Sequence, residues 1–344
     1  MKSTIIIFIL LLTTFTIQAQ SSSDKLIREG ASLHDRGRYK EAIAKYEQAL
    51  KINPTSMSVV YEMSLSYLQL KDYDKAMSLS SKVIDNSFQP LLVDAYIVKG
   101  TALANKGKLN EAIKLLNDAV DRCGDEYLLH FNLGLCYFNN KNNKMAVNHL
   151  RKAIEIDATH ASAFLLYGYA LNDLGLWVQS FYSFHFFLLL EPNTARSKDA
   201  FGEMLDILNA KLDANSPSLL LESDVDRKAI YESLQSLKTG AKDEVSQYNF
   251  FVESSRTIFS TLSQNQDESQ SGLLWFFFVP TYDEILNSGH FETYCRYVSV
   301  AYFPESLKWW EDNKTEVDNF IEWFEVGQSN SDIDEEYGDD SDIE

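Results

Sequence analysis

Apolar and small residues return along the first two thirds of the chain at a nearly fixed period. Between Leu26 and Pro54 stand Gly30, Gly37, Tyr39, Ala42, Tyr46, Ala49, Leu50 and Pro54, counted from a first position at Ser23. The same offsets recur from Met57 with Tyr67, Tyr73 and Ala76, although Ser64 takes the glycine slot and Val83 stands where alanine is usual. They recur from Val93 with Gly100, Gly107, Ala112 and Ala119, and from Tyr127 with Leu133, Gly134, Tyr137, Ala146 and Ala153. A fifth copy from Ala161 has Tyr167, Gly168, Gly175, Trp177 and Pro192, with Ser180 replacing the first alanine. Successive starts are 34, 36, 34 and 34 residues apart. Such a period predicts pairs of short antiparallel helices. One glycine lets the two helices approach, a second ends the first helix, and the alanines are small knobs facing it. Counting on reaches Ala195, so Thr194 to Leu212 reads as a sixth first helix that caps the stack.

These offsets resemble the tetratricopeptide repeat over about 190 residues. The resemblance implies an all-α superhelix, a solenoid of helix pairs from 20 to 212, with a concave inner surface used for binding rather than chemistry. In that family, positions two, five, six, nine, twelve and thirteen of each first helix line the concave face. Carried onto this chain they give a peptide-binding groove of Tyr61, Leu65, Ile97, Phe131, Asn132, Leu135, Phe138, Leu165, Tyr169 and Asn172, with Leu68 and Thr101 beside them. Chaperone-binding relatives clamp a C-terminal carboxylate with lysine and asparagine at positions five and nine. Here position five is Ile27, Tyr61, Ile97, Phe131 or Leu165, so that clamp is absent. The resemblance therefore implies an apolar or helical segment of another protein as the occupant, with little dependence on salt. The competing expectation is that the chain's own C-terminal helices fill the groove.

Beyond Leu212 the period stops. Residues 213–226 read as a linker, and 227–328 as a helical, aromatic-rich module. Arg227 to Leu237 and Glu244 to Leu262 have helical spacing. Gly272 to Val326 holds fifteen aromatics, and Pro280 and Pro304 mark helix starts. The run from Phe181 to Leu190 has no polar face, which predicts burial on all sides, and the aromatic module is the segment expected to dock there. Phe187 also stands where a small alanine is usual. Residues 329–344 are rich in Asp and Glu and read as a solvated, disordered acidic tail.

At the other end, Lys2, the apolar run from Ile5 to Leu12 and Ala19 before a cut at Gln20 read as a signal peptide over 1–19. It resembles those common in Bacteroidetes, which implies a secreted or periplasmic protein. A formal charge of -19 would repel phosphate backbones, so nucleic acid is excluded as a partner, and no stable membrane insertion is expected once the signal is cut. The six histidines lack zinc spacing, and no phosphate loop, nucleotide fingerprint or nucleophile elbow appears. His185 and the three cysteines read as packing residues. No enzyme activity, metal or cofactor is expected. The reading is a non-enzymatic interaction scaffold binding an envelope partner. The alternative, prompted by Trp309 and Trp310, is a glycan-binding component of an outer-membrane uptake system. Receptors of that kind contain such repeats, but they carry a lipidated cysteine and a longer chain, both missing here.

Overall fold

A computed structural model describes residues 22–211, 243–266 and 270–330. The expected signal peptide, the linker at 213–226, the helix at 227–237 and the tail beyond 330 lie outside the described residues. The fold is all-α, with no strand among the described residues. The described residues divide into two compact units, one ending at Asn142 and one beginning at Asn143.

The first unit contains α1 (22–35), α2 (Tyr39–Ile52), α3 (Met57–Gln69), α4 (Tyr73–Asp85), α5 (Leu92–Asn105), α6 (Leu109–Cys123) and α7 (Tyr127–Asn139). Each first helix turns into its second through one residue with left-handed backbone. These are Gly37 and Gly107, but also Lys71 and Lys141, both at φ 60°. The turn is thus set by its place in the repeat, even where the residue is not glycine. The two extra residues of the 36-residue step are absorbed before α5 by Ser87, itself at φ 48°, and a short 3-10 turn at Gln89–Leu91.

Close approach explains the other glycine. A Cβ on Gly30 would lie 2.5 Å from the buried Tyr46 ring, and one on Gly100 would lie 3.1 Å from Leu116. In the second repeat the register pairs Ser64 with Ser80. Both are fully buried, and each hydroxyl donates to a carbonyl of its own helix, Tyr61 O at 2.6 Å and Ala76 O at 2.8 Å. A small residue opposite a small residue keeps the same spacing. The second helices are one-sided: α6 buries Ala112, Ile113, Leu116 and Ala119 and leaves its charged face to water.

The second unit begins with α8 (Asn143–Ile156), α9 (Ala161–Asp173), α10 (Trp177–Leu190) and α11 (Ala195–Lys211). It continues through α12 (Glu244–Gln264), a π-helical turn at Leu274–Phe278, α13 (Val279–Asn287), α14 (Phe291–Val298), α15 (Pro304–Asp312) and α16 (Lys314–Asn330). Pro304 falls in the first turn of α15, as expected, whereas Pro280 follows directly on the π-helical turn in continuous helical backbone and does not start a helix; α16 runs two residues into the segment read as tail.

Twelve of the fourteen residues of α10 are buried. One side packs on α9, where a Cβ on Gly168 would lie 2.9 Å from Phe184. Ser180 and Ser183 donate across to Gly168 O at 2.8 Å and Phe164 O at 2.7 Å, so no hydroxyl on that side is orphaned. The other sides are covered by C-terminal aromatics. Tyr182 meets Tyr282 and Phe259, both at 5.2 Å between centroids, and Phe186 meets Phe277 at 4.8 Å. His185 is fully buried between Phe181, Phe251, Phe259, Tyr282 and Tyr294. Its Nδ1 is hydrogen-bonded to the Tyr294 hydroxyl, and its Nε2 lies 3.3 Å from Ser255 Oγ.

The sixth first helix, α11, is itself covered by C-terminal aromatics. The Gly202 slot of α11 faces Tyr302, 3.5 Å from an added Cβ, and Phe201 packs on Phe251, Tyr302 and Phe303. Here α11 packs on C-terminal aromatics, because Phe201 and Met204 have no polar alternative to burial.

Candidate functional site

The ten groove positions share one property: none is fully buried and none is fully exposed. In the first unit, Tyr61 and Leu65 of α3 pack against Val98, Ala102 and Ala76, and Ile97 of α5 borders the cluster around Leu92 and Leu116. They are edges of the core as well as surface. On α7, Phe131 stacks on Tyr127 of its own helix at 5.9 Å, and the ammonium of Lys141 sits 5.7 Å from the Phe138 ring. Asn132 donates to Leu128 O at 2.8 Å, and Leu135 is half-buried on the same helix.

In the second unit, Leu165, Tyr169 and Asn172 lie on α9 at steps of four and three residues, which places them on one face. Tyr169 meets the edge of Phe184 at 5.1 Å, and Asn172 Nδ2 donates to Glu203 Oε1 of α11 at 3.0 Å.

Beside this apolar and aromatic face with its amides stand four carboxylates that the sequence reading did not single out. Burial, together with Glu203 and Asp199, raises the Tyr169 hydroxyl pKa. Burial, together with Asp94 and Glu62, does the same for Tyr61. Glu62 is itself pushed up by burial and accepts the Tyr46 hydroxyl at 3.4 Å, while burial alone raises Asp94. The signal was present in the chain, because Glu62, Asp94, Asp199 and Glu203 occupy repeat positions six, two, five and nine. Positions filled by charge were passed over in favour of large apolar ones.

Trp309 and Trp310, the basis of the glycan alternative, are half-buried, and Trp310 leans on Tyr297 at 5.1 Å. Among the described residues no group of His, Cys, Asp or Glu is placed to hold a metal. Cys123, Cys136 and Cys295 are unbridged. No described helix is long and apolar enough to cross a membrane.

Family descriptions match three segments: "TPR repeat" at residues 30–71, and "Tetratricopeptide repeat" at 93–125 and at 127–160. These segments are tetratricopeptide repeats. The chain is 28% identical over 153 residues to the BBSome complex member BBS4 of Bos taurus, covering 44% of this chain and 29% of that protein. It is 30% identical over 71 residues to the Hsp70-Hsp90 organising protein of Plasmodium falciparum, covering 21% and 12%. The tetratricopeptide stretch thus spans under a third of the length of these curated relatives. Among solved structures, the thermophilic TPR protein TTC0263 of Thermus thermophilus aligns with TM-score 0.45 and 21% identity, over 54% of this chain and 99% of that one. PilF of Pseudomonas aeruginosa aligns with TM-score 0.47 and 17% identity, over 64% and 100%.

Proposed function

We propose that the protein is a non-enzymatic scaffold that holds an apolar, helical segment of a partner protein against the first-helix rows of its tetratricopeptide repeats. It works outside the cytoplasm, in the periplasm or beyond, as the N-terminal sequence implies. The carrying observation is that all ten row residues stay partly exposed, eight of them large and apolar or aromatic. A second helix such as α6 closes its apolar side and shows charge to water, whereas the first-helix rows leave rings and aliphatic chains partly exposed. Partly open apolar surface of this kind is what a helix-in-groove partner covers. The relatives whose names place them in a complex or in the organising of two chaperones support the same class of work.

Phe131 and Phe138 are the anchors to test, because both are half-buried and neither belongs to the cluster around Leu92 and Leu116. Aromatic anchors typically cost ~2 kcal/mol or more each on truncation, and with the two costs adding only in part Phe131→Ala with Phe138→Ala is expected to weaken binding of an amphipathic leucine- and phenylalanine-bearing peptide at least about a hundredfold. The helical circular-dichroism spectrum is expected to stay unchanged. Undiminished peptide binding by that double variant would sink the assignment.

A further inference from the structure

We propose that the carboxylates around the row tyrosines select a partner segment that carries arginine or lysine between its apolar residues. This rests on the groove reading above and adds the charge of the occupant.

The geometry is clearest in the second unit. Asp199, Glu203 and Asp206 follow one another at four and three residues on α11, so their carboxylates share one face of that helix. The hydrogen bond from Asn172 to Glu203 fixes this row beside α9, one turn from Tyr169. Helix α9 contains no lysine or arginine. Of the cations on α11, Lys198 stands exposed beside Asp199, and Arg196 is committed elsewhere: it pairs with Glu191, donates to Ser162 Oγ at 3.0 Å, and lies 5.4 Å from the Phe187 ring. Among the described residues no ion pair reaches Asp199, Glu203 or Asp206. The first unit also sets carboxylates near a row tyrosine, although Glu62 there accepts the Tyr46 hydroxyl and faces His34. Tyr61 is followed by Glu62 on α3, and Asp94 stands in the first turn of α5. At the six row positions of the second, third and fourth repeats there is no lysine or arginine at all.

The chemistry follows from desolvation. A neutral apolar segment laid on these rows would strip water from carboxylates and offer nothing in return, which is costly. A guanidinium or ammonium would pair with the carboxylate while its stem and charge rest on the tyrosine ring, satisfying both groups at once. An acidic segment would be repelled. The occupant is therefore basic and amphipathic rather than only apolar.

The test uses the full chain and three synthetic amphipathic peptides with the same leucine and phenylalanine positions, bearing arginine, glutamine or glutamate between them. The arginine peptide is expected to bind about tenfold tighter than the glutamine peptide, and the glutamate peptide weakest. That preference should shrink as salt is raised from about 50 mM to about 500 mM. Asp199→Asn with Glu203→Gln, added to Glu62→Gln and Asp94→Asn, should abolish the preference without weakening glutamine-peptide binding and with the circular-dichroism spectrum intact. Equal affinity for the arginine and glutamine peptides, or a preference that survives the four substitutions, overturns the charge selection and leaves the apolar groove standing. Failure of every peptide to bind overturns the groove reading together with it, as it would if the rows were covered by the chain's own residues.

Discussion

Helices α6 and α10 hold the same place in their repeats, yet they live in opposite environments. Helix α6 buries a narrow stripe of four residues and keeps Glu111, Lys114, Asp118 and Asp121 in water. Helix α10 has no charged residue and is enclosed on all sides, by α9 on one and by aromatics of the C-terminal region on the others. A repeat helix with an open face needs only its neighbours. One without a polar face can persist in water only if something outside the repeat covers it. The C-terminal region of the second unit is thus part of the core that begins with the fifth repeat, and Tyr302 packs at the glycine slot of α11.

The largest effect should come from removing that cover. A chain ending at Lys211 would expose Tyr182, His185 and Phe186 to water, and is expected to aggregate or to bind a hydrophobic dye strongly. Equal solubility and melting temperature of the shortened and full chains would refute the shared core.

The glycine slots sharpen the comparison. At Gly168 an added Cβ would press at 2.9 Å on Phe184, a fully buried ring with nowhere to move, so Gly168→Ala is expected to lower stability by about 1–3 kcal/mol. At Gly202 the contact with Tyr302 is an ordinary 3.5 Å, so Gly202→Ala should gain helix propensity and raise stability by up to ~1 kcal/mol. Denaturant titration of the two variants should give shifts of opposite sign.

His185 supplies a pH test within the same core. Burial holds its imidazole pKa well below the usual value, so the folded state keeps it neutral. The unfolded chain binds that proton first as pH falls past about 6.5. This stabilising contribution is therefore whole above that pH and is lost below it, by about 1.4 kcal/mol per pH unit until the folded pKa is reached. Relative to His185→Gln, the parent chain should lose melting temperature more steeply between about pH 6.5 and 5. Parallel slopes for the two proteins would remove His185 from the account.

The smallest effect belongs to the repeat turns. Lys71 and Lys141 hold a left-handed backbone that costs a non-glycine residue roughly 1–2 kcal/mol, partly offset by the greater unfolded-state freedom of glycine. Lys71→Gly and Lys141→Gly should each raise stability by a few tenths to ~1 kcal/mol, read as a higher denaturation midpoint. No gain at either position would mean that those turns relax without the left-handed residue.

The period, the helix pairs and the isolation of α10 from water were legible in the chain because each depends on local spacing. Gly30 and Tyr46, or Ser64 and Ser80, match across 16 residues in every copy, and a run such as Phe184 to Leu190 carries its need for burial in its own composition. The left-handed turns at Lys71 and Lys141 were legible only through register, since lysine itself gives no hint of them. What tertiary structure alone decided was which surfaces meet. No spacing rule connects His185 to Tyr294, 109 residues away, or Gly202 to Tyr302. Nor does any such rule bring Glu203 onto Asn172 and set a carboxylate row beside Tyr169. Those pairings depend on shape and desolvation between distant segments, and burial rewards any apolar partner of the right size, so the sequence specifies that α10 is covered but not by which rings.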